Sequence, residues 1–177
     1  MAQHASSLAN NMTEQTIVST APGDNYQVLG EVAISSEQQI VDSVAAAKQA
    51  QPSWQALSLD ERCQWLKKLR TAFADRAADI AQSIADEVGK TRPAADSELE
   101  TALNKFDWFI DNVEQAIQPQ TTFEDENTLH QIHYEPYGVA AVIAPWNYPA
   151  SMFAWGVAPN LLVGNTVVFK HSEECPL

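Results

Sequence analysis

The stretch that most constrains the fold lies between Gly138 and Lys170. Gly138–Ala144 is a short uninterrupted apolar run, and Pro145–Pro149 is a loop bracketed by prolines. Ala150–Val163 carries a helical pattern in spite of Pro159, and Thr166–Lys170 is a second apolar run. Strand, helix and strand thus succeed one another within about 33 residues, the size of one βαβ crossover. Strands that read as continuous hydrophobic runs are those covered on both faces, as in a parallel sheet. The chain is therefore read as α/β.

Upstream the pattern is largely helical. Thr16–Ser19 and Tyr26–Ile34 are β-prone and flank the turn cluster Pro22-Gly23-Asp24-Asn25, which predicts a small extended element. Ser36 with Gln39 forms a capping-box pair, after which Ile40, Val44 and Ala47 begin an apolar stripe running toward Pro52, with Trp54 packing a short connection. Ser58 with Glu61 repeats the box. Leu66, Leu69, Phe73, Ala77, Ile80, Ile84 and Val88 follow at helical spacing and predict one long amphipathic helix, with room for a bend, closed by Gly89. A further helix is expected from Pro93 to Ile117, stopped by Pro119. The basic residues of these helices are placed on their polar faces. Glu124-Asp125-Glu126 reads as an acidic turn and Leu129–Tyr134 as a strand. The resulting division is a polar tail over 1–15, an extended and helical part over 16–120, a strand connection over 121–137 and the βαβ unit over 138–177.

Composition narrows the function. With 177 residues, 45% of them hydrophobic, the chain can bury about 70% of its unfolded surface and needs neither disulfides nor a structural metal. A formal charge of -13 repels phosphate backbones and anionic headgroups, so neither a nucleic acid nor a membrane is expected as partner. The apolar runs fall short of the roughly 20 residues that span a bilayer, and the chain is expected to be soluble. No Lys or Arg precedes Lys48 and no apolar segment follows Met1, which together with only two cysteines, Cys63 and Cys175, points to a reducing, cytoplasmic setting.

Several apparent motifs fail. Gly89-Lys90-Thr91 resembles the end of a phosphate-binding loop, but Ile84 stands where its first glycine is required. There is no Gly-x-Gly-x-x-Gly. His130 and His133 fall on opposite faces of a predicted strand and cannot chelate one metal, so no metal site is expected. Cys63 reads as an inert helix thiol, and the carboxylates of Glu173 and Glu174 beside Cys175 oppose thiolate formation. Lys170 is the single Lys or Arg after Lys105, which is a solvated strand end unless a motif surrounds it.

A motif does surround it. Val142-Ile143-Ala144-Pro145-Trp146-Asn147-Tyr148-Pro149, followed by Gly164-Asn165-Thr166-Val167-Val168-Phe169-Lys170-His171-Ser172-Glu173, resembles the N-terminal part of the aldehyde dehydrogenase superfamily. In that family a Pro-Trp-Asn-(aromatic)-Pro loop follows the first strand of the dinucleotide-binding domain, and Gly-Asn-Thr-Val-Val-x-Lys-x-x-Glu spans the second. Weaker likeness at Ala45–Ala50, Trp54, Glu61-Arg62, Leu66 and Glu87-x-Gly89-Lys90 extends the resemblance over about residues 16–177. The fold it implies is a helical N-terminal region plus the first β-α-β of a parallel dinucleotide-binding sheet, truncated.

The resemblance also implies roles. Asn147 matches the amide donor that stabilises the oxyanion formed when a thiolate attacks an aldehyde. Lys170 and Glu173 match the pair that binds the adenosine ribose hydroxyls, and Glu173 tilts the cofactor toward NAD over NADP by repelling a 2′-phosphate. Ile143, Ala144, Pro145 and Trp146 match contacts to the cofactor. Tyr148, Met152 and Trp155 fall where the family lines its aldehyde tunnel, and their helical spacing is equally that of a core stripe. Asn160 and His171 depart from the family's usual small residue and proline.

The nucleophilic cysteine, the general-base glutamate and the Gly-rich pyrophosphate segment of that family have no match here. The expectation is an N-terminal fragment of an NAD(P)-dependent aldehyde dehydrogenase, inactive alone, whose open sheet edge favours aggregation. The alternatives are a non-catalytic regulatory partner of a full-length or complementing dehydrogenase chain and a free-standing nucleotide module. Oligomerisation is implied through the Leu129–Tyr134 region, which resembles the family's oligomerisation strand.

Overall fold

A computed structural model describes residues 15–177, so the expected polar tail over 1–15 lies outside the described residues except for Gln15, whose carbonyl accepts from Ile34 N at 2.8 Å. Strands β1 (Thr16–Ala21) and β2 (Gln27–Ala33) form an antiparallel hairpin. Its turn places Asn25 and Tyr26 in the left-handed region at φ 47° and 59°. Helix α1 (Glu37–Gln55) starts at the capping box read from Ser36 and Gln39. Trp54 belongs to the last turn of α1, not to a connection beyond it, because Pro52 is accommodated within the helix.

The long helix expected over residues 59–88 is two helices, α2 (Leu59–Asp75) and α3 (Ala77–Val88). The break falls at Arg76, whose φ of -104° and ψ of 10° leave the helical region. The apolar spacing stays in phase across this joint, so the sequence carries no mark of it. Gly89 at φ 76° closes α3, and α4 (Arg92–Ile117) follows with Pro93 in its first turn.

Strands β3 (Gln120–Glu124) and β4 (Leu129–Ile132) make a second hairpin around the acidic turn, where Thr128 O accepts from Asp125 N at 2.9 Å. His133 lies beyond β4, so the two histidines do not share a strand as expected. The βαβ unit is present as read: β5 (Val139–Ile143), α5 (Pro149–Leu162) and β6 (Thr166–Lys170), with β5 and β6 parallel in the register Val139↔Thr166 to Ile143↔Lys170.

The core lies between α2, α3, α4 and α5, where Leu66, Ile84, Leu99, Phe106, Ala154 and Leu162 are buried. One exception to the polar placement of basic residues is instructive. Arg62 is buried, because its guanidinium donates to Leu162 O at 2.8 Å, to Gln55 O at 3.2 Å and to Leu57 O at 2.6 Å, satisfying carbonyls at the ends of α5 and α1 and in the loop after α1. Asn165 fastens the crossover: its Oδ1 accepts from Gly138 N at 2.8 Å while its Nδ2 donates to Asn160 Oδ1 at 3.1 Å.

Helix α5 approaches β5 closely at Gly156, where an added Cβ would stand 2.4 Å from Val142 Cγ1. A methyl group cannot occupy that space unless the Val142 side chain shifts or helix and strand separate. Gly156→Ala is expected to cost about 1–3 kcal/mol, measured as a lower denaturant midpoint at unchanged m-value.

Candidate active site at the carboxyl ends of the parallel strands

The register Ile143↔Lys170 brings the carboxyl ends of β5 and β6 side by side. In open α/β sheets ligands bind outside this end of the strands. Ala144 is buried and its N–H donates to Lys170 O at 3.0 Å, which carries the parallel pairing one step past β5. Beyond it the chain turns outward: Pro145, Trp146, Asn147 and Tyr148 are all exposed, and Ile143 at the strand end is 76% exposed.

Lys170 and Glu173 are brought together across the turn after β6, with Nζ 2.5 Å from Oε2 and side chains 57% and 61% exposed. The hydrogen bond from Lys170 holds the Glu173 carboxyl below the usual carboxylate range, aided by a backbone N–H. A depressed carboxylate pKa keeps the pair ionised at neutral pH and loses it only as pH falls through that value. An ammonium donor beside a carboxylate acceptor, both reachable from solvent, suits a vicinal diol, whose hydroxyls donate and accept at once. The residues present therefore fit the ribose of a dinucleotide.

Tyr148 precedes α5 as its N-cap residue and Met152 and Trp155 lie within the helix, beside its buried residues Ser151, Ala158 and Leu162. Tyr148 and Trp155 are exposed and Met152 is partly buried, so this stripe is not the core of the described residues. Lys105 Nζ lies 5.1 Å from the centroid of the Trp155 ring.

Neither cysteine is poised as a nucleophile. The Cys175 thiol is pushed up to about 11, chiefly by burial and then by Glu87, Glu98, Glu174 and Glu173. At neutral pH the thiol form therefore predominates. The flanking carboxylates inferred from sequence do contribute, but burial is the larger cause. Burial raises the Cys63 thiol as well, against the pull of Lys67. Among the described residues no three His, Cys, Asp or Glu side chains converge as a metal site.

Sequence reasoning missed two buried carboxylates. Glu87 accepts from Ser19 Oγ at 2.6 Å and from Leu177 N at 2.9 Å, fastening β1 and the chain after β6 to α3. Glu98 is fully buried, with Oε1 accepting from Ala150 N at 2.9 Å and Ser151 N at 3.3 Å, and Oε2 held by Lys90 Nζ at 2.5 Å. Both sit on helices where an acidic residue ordinarily faces water. The only available signal for Glu98 was its position one residue before Leu99 of the apolar stripe.

The sequence profile of the aldehyde dehydrogenase family matches residues 9–177, and the chain belongs to this family. It is 33% identical over 164 residues to an alpha-ketoglutarate semialdehyde dehydrogenase of Haloferax volcanii, covering 93% of this chain and 34% of the relative. Among solved structures it superposes on PnpE in complex with nicotinamide adenine dinucleotide with a TM-score of 0.85 at 30% identity, covering 92% of this chain and 33% of that one. An Escherichia coli NADP-dependent enzyme gives a TM-score of 0.85 at 29% identity, over 92% of this chain and 34% of that one. The chain thus spans about a third of the length of the relatives it matches. Among the described residues no helix is long and apolar enough to cross a membrane.

Proposed function

We propose that this chain is the oxyanion-stabilising and ribose-binding part of an NAD(P)-dependent aldehyde dehydrogenase that oxidises an aldehyde to a carboxylic acid. The supporting observation is the parallel register that sets the Asn147 loop beside Lys170 and Glu173 at one end of the sheet. Asn147 directs its side-chain N–H at the aldehyde oxygen while a thiolate adds to the carbonyl carbon and negative charge grows on that oxygen. Lys170 donates to the ribose and Glu173 accepts from it, while Ile143, Ala144, Pro145 and Trp146 form the adjoining wall. Bound dinucleotide supplies the hydride acceptor. Glu173 disfavours a 2′-phosphate, so NAD is preferred to NADP. Tyr148, Met152 and Trp155 line the aldehyde's approach.

The thiolate, and the base that activates water against the resulting thioester, come from outside these residues. Incubation of the 177-residue chain with NAD and a panel of aldehydes is therefore expected to give no NADH, and measurable turnover would overturn this assignment. In an enzyme carrying this segment, Lys170→Ala weakens NAD by roughly tenfold or more, the worth of a charge-assisted hydrogen bond. Titration of NAD by fluorescence reads the change, and an unaltered affinity would remove Lys170 from the site.

The hairpin of β3 and β4 exposes Phe123, Leu129, Ile132 and Tyr134, which suits it to join a second subunit or a complementing chain. On this reading residues 121–137 are the oligomerisation element, residues 16–120 pack beside the cofactor domain begun at 138, and the enzyme works in the cytoplasm. A purely regulatory role is the competing reading: recovery of the chain from cells in complex with a dehydrogenase that is complete without it would favour that role.

A further inference from the structure

The first turn of a helix offers N–H groups that suit an oxyanion, and α5 begins two residues after Asn147. Here they are already taken. The Glu98 carboxylate reaches from α4 and accepts from both Ala150 N and Ser151 N. Its other oxygen meets Lys90, whose side chain is 17% exposed and which stands just after the left-handed turn at Gly89. The same ammonium lies 3.8 Å from the centroid of the Tyr148 ring, the residue directly after Asn147. Two charged groups from outside the βαβ unit therefore grip the loop from both of its sides: the backbone that follows it and the aromatic ring within it. With these helix N–H groups occupied, an oxyanion beside this loop must be met by donors of the loop itself, among them the Asn147 side chain.

We propose that Lys90 and Glu98 are positioning residues for Asn147, fixing the Pro145–Tyr148 loop against the start of α5 so that the amide is aimed before substrate arrives. This rests on the oxyanion role given to Asn147 above. Pre-organisation of this kind is what makes a single amide effective, because no reorganisation is required as charge develops. The ion pair also lets a carboxylate remain buried at the helix end without an unpaired charge.

The test is nuclear magnetic resonance on the full chain, following the Asn147 side-chain amide and backbone hydrogen exchange. In Glu98→Gln, exchange at Ala150 and Ser151 should rise roughly tenfold or more relative to Phe106 and Ile110 in α4, and the Asn147 amide resonance should move. Lys90→Arg, which keeps the charge and can lie on the Tyr148 ring, should leave that resonance near its original position. Where Glu98→Gln does not fold, the double variant Lys90→Met with Glu98→Gln carries no lone buried charge and should shift the Asn147 resonance in the same way. A uniform rise in exchange at all amides, or an Asn147 resonance that stays put in the folded variants, would overturn the proposal. The outcome is independent of nucleotide: failure to bind NAD would count against the dehydrogenase reading and leave the resonance experiment to decide the role of Lys90 and Glu98.

Discussion

Asn147→Ala is expected to lower the turnover of a dehydrogenase carrying this segment by about 10²–10³-fold, with NAD affinity and thermal stability nearly unchanged. The separation of effects follows from where the residue sits. Asn147 is exposed in the loop between β5 and α5, outside the buried core, so truncating it removes no packing. Lys170 at the end of β6 and Glu173 in the turn after it keep their own ion pair. The Ala150 and Ser151 N–H groups of the following helix do not take over, because they are committed to Glu98. Steady-state kinetics with saturating NAD, alongside a thermal melt, reads both quantities. A loss of less than tenfold in turnover would show that the oxyanion is held mainly by other groups.

Phe106→Ala carries the largest expected effect on stability, about 3–5 kcal/mol. Domains of this kind are commonly stable by only about 5–15 kcal/mol, so the variant is expected to sit close to unfolding at 37 °C. Phe106 is fully buried in α4 and begins a run of aromatic contacts through the protein. Its ring lies 5.4 Å from Phe73 of α2, Phe73 stacks on Phe153 of α5 at 5.2 Å, and Phe153 meets Phe169 of β6 edge-on at 5.0 Å. Phe169 immediately precedes Lys170. A cavity at Phe106 is thus expected to loosen α2 and α5 together, and through them the strand that presents Lys170. Urea denaturation gives the measure, and a loss below about 1 kcal/mol would mean that the surrounding helices collapse into the space.

What could be read from sequence was whatever physics is local. Both capping boxes, the glycine that closes α3 and the βαβ unit depend on neighbours within a few residues, and each lies where its pattern placed it. The break at Arg76 depends on how α3 must turn to meet β1 and α4, which no local residue records. Strand β3, exposed along its length like β4, went unread because Gln120-Thr121-Thr122 offers no apolar residue before Phe123. The fates of Arg62, Glu87 and Glu98 were hidden for a related reason. A charged residue on an amphipathic helix is ordinarily solvated, and only the distant carbonyl, hydroxyl or N–H that receives it shows otherwise. The candidate site residues were legible as a motif, and Lys90 only as part of the weaker Glu87-x-Gly89-Lys90 likeness, whereas Glu98 of α4 was not legible at all.

The way α1 is held has a consequence for how the chain is made. No residue of α1 is buried, and its side chains and backbone reach the body through partners late in the chain. Trp54 Nε1 donates to Leu161 O, Gln51 Nε2 to Gly164 O, and Ala47 O accepts from Thr166 Oγ1, across 107, 113 and 119 residues respectively. At a synthesis rate of about 5–20 residues per second, these three partners emerge roughly 5–20 s after α1 itself. During that interval the Trp54 indole and the Gln51 amide lack the carbonyls they donate to, and α1 is tied to the chain then made only near its own end, where Arg62 Nη1 donates to Gln55 O.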